Sequence, residues 1–215
     1  MTVSLPLGVL IALTCLVSIK GFKDPIFFDR YKFNIADLHR KQWYRTLSSA
    51  LLHVDGQHLL FNMITLYFFG DAVLRPLGAL TFLGIYLFSV LGGSLVGWWY
   101  HSRNSHYSAV GASGGVIGIV FSAILIHPEM RLAFLFFPVP IPGYLFAIGY
   151  LAYTLYGMKK QNDLIGHTAH LGGALLGVLS TLVVRPALLL EQAGLVLLCG
   201  GTLVVLAFLL WRKKA

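Results

Sequence analysis

The chain has 215 residues, 57% of them hydrophobic and 11% charged, with a formal net charge of +8 and a mean hydropathy of +0.78. That balance excludes a water-soluble domain and implies an integral, multi-pass membrane protein. The excess of Lys and Arg marks topology and headgroup contact, and no basic run with interleaved aromatics suggests a nucleic-acid groove, so no nucleic-acid partner is expected.

A membrane helix needs ~20 apolar residues, somewhat fewer where flanking residues snorkel or the bilayer thins. The first such stretch is 3–19. Its 7–19 portion has the apolarity of a signal-peptide core but lacks a basic leader and an A-x-A cleavage site, so it reads as a retained span. Residues 20–52 follow with seven Lys/Arg, three Asp and several aromatics, among them Trp43 and Tyr44. Cations interleaved with aromatics fit a structured loop lying in the interface. The second span is 58–74, closed by Arg75 and Pro76, and the third is 77–100, with a G-x-x-x-G at Gly93 and Gly97. A polar loop, 101–107, leads to the fourth span, 110–126, stopped by Pro128. In 129–143 the prolines at 138, 140 and 142 break any helix. A short fifth span covers 144–158, a polar turn 159–163, the sixth span 164–184, and the seventh 193–211, ended by Arg212, Lys213 and Lys214. The expected fold is all-α, a polytopic membrane bundle with a six-helix core over 1–186 and an additional C-terminal helix with a basic tail over 187–215. The two cysteines, Cys15 and Cys199, lie in apolar runs and read as free thiols, with no disulfide framework or metal spacing.

Three stretches put polar groups where lipid-embedded helices should have none: V-G-A-S-G-G-V-I-G at 110–118, A-H-L-G-G-A-L-L-G at 169–177 and H-V-D-G-Q-H-L-L-F-N at 53–62. Ser113 lies near the start of the fourth span, where free backbone N–H groups and the positive dipole end favour negative charge. That suits a nucleophile whose attack on a carbonyl generates an oxyanion. His58 and Asn62, four apart, share a helix face. They read either as interhelical hydrogen-bonding residues or as an oxyanion-stabilising pair. His53 reads equally as a loop-packing or a functional residue. In the sixth span His170, Gly173 and Gly177 share a face, and Gly114 and Gly118 form a matching small-residue pair in the fourth. If the two stripes meet, His170 comes within reach of Ser113 and can take its proton. Asp163 is two turns from His170, so a Ser–His dyad is preferred to a triad. His167 and His170 also have the spacing of a metal pair, and a zinc site from His53, His58, His167 and His170 stands as an alternative; no H-E-x-x-H occurs.

Taken together, G-A-S-G followed by x-x-x-G, A-H-x-x-G-x-x-x-G, H-x-x-x-N and the W-Y-R at Trp43–Arg45 resemble the rhomboid intramembrane serine proteases. The resemblance runs from about residue 40 to 184, with the motifs in the family's order. It implies a six-helix core in which Ser113 is the nucleophile and His170 the base. It implies that His58, Asn62 and the Ser113 backbone N–H bind the oxyanion. Trp43 and Arg45 would belong to the first-loop structure, and the seventh helix resembles the C-terminal addition of the six-plus-one form. No cofactor or metal is implied; the partners are transmembrane protein substrates and the lipid bilayer. The fifth span and the 159–163 turn would be the mobile parts. Two positions depart from the pattern: Leu74 stands where a glutamate is frequent, and Ile117 where some members carry an aromatic four residues after the serine. The first, third and fifth loops with the C-terminus hold thirteen Lys/Arg against three in the others, which alone would put the first loop in the cytoplasm. The bacterial members place that loop and the mouth of the site outside, and the same orientation is expected here, in a bacterial inner (plasma) membrane. The alternative functions are a catalytically inactive relative that binds membrane clients and a His-liganded metal or transport protein.

Overall fold

Backbone polar groups in lipid must be satisfied within the protein, and the chain does this mostly with helices; the structure, a computed structural model, describes residues 3–134, 137–160, 166–198, 200–202 and 205. Helix α1, Leu5–Lys23, turns Leu5, Val9, Leu13 and Leu16 outward and buries Leu7, Thr14, Ser18 and Gly21. The segment after it is the structured loop that its composition suggests: α2 (Pro25–Tyr31), strand β1 (Phe33–Asn34), α3 (Ile35–His39), α4 (Arg45–Ser48) and a 3₁₀ turn, Ser49–Leu51. Its organiser is Arg45, only 6% exposed. The guanidinium donates to the carbonyls of Asp29 (2.7 Å) and Lys32 (2.9 Å), to Gln42 Oε1 (2.8 Å) and to Asp37 Oδ2 (3.1 Å). Only a planar five-donor group can tie four separate acceptors into one buried knot.

Helix α5, Gly56–Leu77, starts where Asp55 accepts from the His58 N–H (2.7 Å) and ends at Gly78, whose φ of +81° a side chain would resist. Pro76, expected to close this span, lies inside its last turn. Proline cannot donate to the carbonyl four residues back. That carbonyl, of Ala72, is met instead by the His127 ring at 3.1 Å. Helix α6 spans Ala79–His101, and strand β2, Ser108–Ala109, pairs antiparallel with β1. Helix α7 spans Ser113–Ile126, strands β3 and β4 span Arg131–Phe134 and Phe137–Pro142, α8 spans Gly143–Lys160, α9 spans His167–Val184 and α10 spans Leu188–Glu191. A further apolar helix runs from Ala193 to Thr202; the rest of the expected seventh span lies outside the described residues.

The described residues are mostly helical, as expected, with two small antiparallel pairs added. In β3–β4 the prolines that forbid a helix are tolerated because a two-stranded ribbon has free outer edges that need no donor. Among the described residues three helices, α1, α6 and α9, are long and apolar enough to cross a membrane. The 22-residue α5 and 18-residue α8 have the length but fall short in apolarity. The hub is α7, every residue of which from Gly114 onward is buried except Ile117, against α5, α6 and α9. A helix apolar on all sides belongs in a core. Its 14 residues make about 21 Å, short of a ~30 Å hydrocarbon layer, so its two ends cannot both reach a bilayer surface.

Candidate active site

The site is built on the start of α7. The first intrahelical bond is from Val116 N–H to Ala112 O (3.0 Å), so the N–H groups of Ser113, Gly114 and Gly115 have no partner within the helix. The chain enters through Gly111 at φ +133°, where a Cβ would meet the His58 ring at 2.8 Å. Gly111 N–H donates to Ser49 O (3.0 Å), and Ala112 N–H donates to His53 Nε2 (3.3 Å).

His53 is fully buried and its tautomer follows from its neighbours. The single Ser18 hydroxyl hydrogen goes to Leu51 O at 2.7 Å, so at 2.8 Å from His53 Nδ1 the Ser18 oxygen accepts and Nδ1 carries the proton. Nε2 is then free to accept from Ala112. Burial, and after it the nearby His58 imidazole, pushes His53 down to about 3, against the opposing pull of Asp55. A neutral imidazole therefore ties Ser18 of α1 to Ala112, the residue before Ser113.

The His58 ring stands edge-on to His53 at 4.9 Å and shares the space over Gly111 with Ser113 Oγ, which lies 3.7 Å from the position of a Gly111 Cβ. Asn62 is buried beside it, and its Nδ2 donates to His58 O (3.1 Å), leaving one amide hydrogen uncommitted in that bond.

The glycine stripes of α7 and α9 meet. Gly173 lies against the Gly114 backbone and Gly177 against that of Gly118, so that a Cβ at either would overlap its neighbour. Further along, Thr181 donates to Ser122 Oγ (2.8 Å), which donates to Gly118 O (2.7 Å). Positions rise together along both helices, so they run parallel, and Ser113 and His170 lie in the first turns at the same end. Among the described residues no hydrogen bond joins them. His170 Nδ1 lies 2.8 Å from the Tyr150 hydroxyl of α8. His167, a turn earlier, packs on Gly157 and lies edge-on to Tyr153, ring centroids 5.2 Å apart.

Ser113 and His58 thus meet at the Gly111 turn, Asn62 lies one turn along α5 from His58, and His170 belongs to the same end of the bundle. The four-histidine zinc alternative does not assemble: the histidines stand as two pairs, and among the described residues no three His, Cys, Asp or Glu side chains group to hold a metal. Asp163 lies outside the described residues. Tyr150 and Ser18 escape sequence reasoning. Tyr150 is one of several tyrosines in an apolar span, and the link from Ser18 to His53 crosses between elements with no local spacing to announce it.

These features define a helical membrane protein with a serine at a buried helix start and histidines from two other helices at the same end. The family profile described as Rhomboid domain matches residues 40–187, and the chain belongs to the rhomboid family. It is 28% identical over 179 residues to RHOMBOID-like protein 12, mitochondrial, of Arabidopsis thaliana, covering 76% of this chain and 53% of that protein. It is 31% identical over 137 residues to Rhomboid protein 1, mitochondrial, of Saccharomyces cerevisiae (62% and 39%) and 31% identical over 144 residues to Rhomboid-like protein 11, chloroplastic, of Arabidopsis thaliana (63% and 50%). The chain spans about half or less of the length of these relatives. Their names correct the expected location: they are mitochondrial and chloroplastic proteins, which points to an organellar membrane and away from a bacterial plasma membrane.

Proposed function

We propose that the chain is an intramembrane serine endopeptidase that cleaves transmembrane segments of other proteins in an organellar membrane. The observation that carries the reading is the parallel, glycine-lined contact of α7 with α9, which sets Ser113 and His170 at one end of the bundle, with the His58 ring on the Ser113 side. Ser113 Oγ attacks the scissile carbonyl carbon while His170 takes its proton. The carbonyl oxygen gathers negative charge and is met by the Ser113 N–H, Asn62 and His58. Collapse expels the amine, which takes the proton from His170, and water then releases the acyl group from Ser113. A helical peptide bond is already hydrogen-bonded, so the substrate must unwind locally, and small or helix-breaking residues near the cut favour cleavage. Access is by displacement of α8, so cross-linking α8 to α5 should abolish cleavage. The proposed core is 1–186, with 187–215 as an appended membrane helix in a six-plus-one arrangement.

Incubation with a generic transmembrane substrate tests this. The wild type should cleave it, and Ser113→Ala and His170→Ala should each lose about a thousandfold or more. A fluorophosphonate should label the wild type and not Ser113→Ala. A second reading, an inactive relative that binds membrane clients, draws on the lack of a hydrogen bond between Ser113 and His170. It predicts no fluorophosphonate labelling, with client capture unchanged in Ser113→Ala.

A further inference from the structure

We infer that Tyr150 is a positioning residue for His170, its phenolic oxygen accepting the Nδ1 proton and so holding the ring in the tautomer whose Nε2 can take the proton of Ser113. This rests on the proposed role of His170 as base. The contact itself is direct, 2.8 Å from the hydroxyl to Nδ1, between side chains of different helices. The Tyr150 ring is held on both sides, stacked on Phe146 at 5.5 Å and edge-on to Phe121 of α7 at 6.1 Å. It approaches the imidazole with its oxygen end, at a centroid distance of 6.0 Å and a tilt of 30°. At the α7 position one turn after Ser113 the residue is Ile117, so the ring beside His170 comes from α8.

Only one direction of this hydrogen bond is compatible with a base. A hydroxyl that donates to Nδ1 leaves the proton on Nε2, where no second proton can be accepted. A hydroxyl that accepts puts the proton on Nδ1 and leaves a lone pair on Nε2. The same job in a triad is done by a carboxylate that fixes the tautomer and stabilises the cation. A neutral phenol fixes the tautomer with less stabilisation of the cation, a weaker form of the same arrangement. Because Tyr150 belongs to α8, the contact is made only with α8 seated. Tyr153 and Gly157, three and seven residues on, lie along His167 on the same face, so one helix face carries both histidines of α9.

The test uses the full chain in detergent, labelled with ¹⁵N-histidine, with His170→Gln assigning the signal. In the wild type His170 should show a protonated Nδ1. Tyr150→Phe keeps the ring and removes the oxygen; it should move the signal toward a protonated Nε2 and slow fluorophosphonate labelling of Ser113 about tenfold, with the thermal midpoint unchanged. A wild-type His170 protonated on Nε2 overturns the inference, as does a Tyr150→Phe chain with the wild-type spectrum and labelling rate. A wild type that takes no probe sinks the protease reading by itself, and the nitrogen spectrum still decides the direction of the hydrogen bond.

Discussion

Helix α9 is held in two different ways. Against α6 and α7 it lies backbone on backbone: Gly172 on Gly92, Gly173 on Gly114, Gly177 on Gly118. Against α8 it lies ring on backbone and ring on ring, His167 on Gly157 and His170 on Tyr150. Backbone contacts have no rotamers with which to relax, whereas side-chain rings do. One helix therefore joins a rigid wall, where the serine sits, to a more yielding one, from which the imidazole is addressed.

The comparison breaks most readily at Gly173. Gly173→Ala places a methyl group inside the Gly114 backbone, and the expected cost exceeds ~3 kcal/mol, enough to prevent folding. A near-native thermal midpoint for that variant would show that the stripes are not tight. On the same rigid side, His53 makes stability depend on pH. Its folded pKa of about 3 lies below the ordinary value of 6.5, so the unfolded chain binds the extra proton first. Stability is full above about pH 6.5 and falls with acid by up to about 1.4 kcal/mol per pH unit until the folded value is reached. Unfolding followed between pH 7 and 5 should show that slope, and His53→Gln should flatten it. Gly157→Ala probes the yielding side, where the nearest atoms to the added methyl are those of the His167 ring. A loss of about 1–2 kcal/mol is expected, and a loss equal to that of Gly173→Ala would erase the distinction. Gly149 of α8 faces open space, so Gly149→Ala should raise stability by about 0.5–1 kcal/mol through helix propensity alone. Chemical denaturation that ranks it with the destabilising glycine variants would remove α8 from the yielding side.

The helices and the small-residue stripes were legible because spacing along one element is a local property. The fourth span, read as 110–126, forms as Ser113–Ile126, and the sixth, read as 164–184, as His167–Val184. What escaped was set by contacts between elements. Pro76 reads as a stop, yet α5 runs through it because His127 meets the stranded Ala72 carbonyl. The prolines of 129–143 exclude a helix and say nothing of the ribbon that forms. The serine motif announces Ser113, but the grip of His53 and Ser49 on the preceding turn depends on pairing residues about sixty positions apart. Tyr150 and His170 lie on neighbouring helices in a register that no repeat encodes.

The brevity of α7 turns the lipid into a ruler. Were its far end to reach the opposite surface, Ser113 would lie about 9 Å below its own, roughly six residues of helix. If Ser113 is the nucleophile proposed above, lengthening the acyl chains of the host bilayer should then shift the cut deeper along the same substrate, one or two residues at a time.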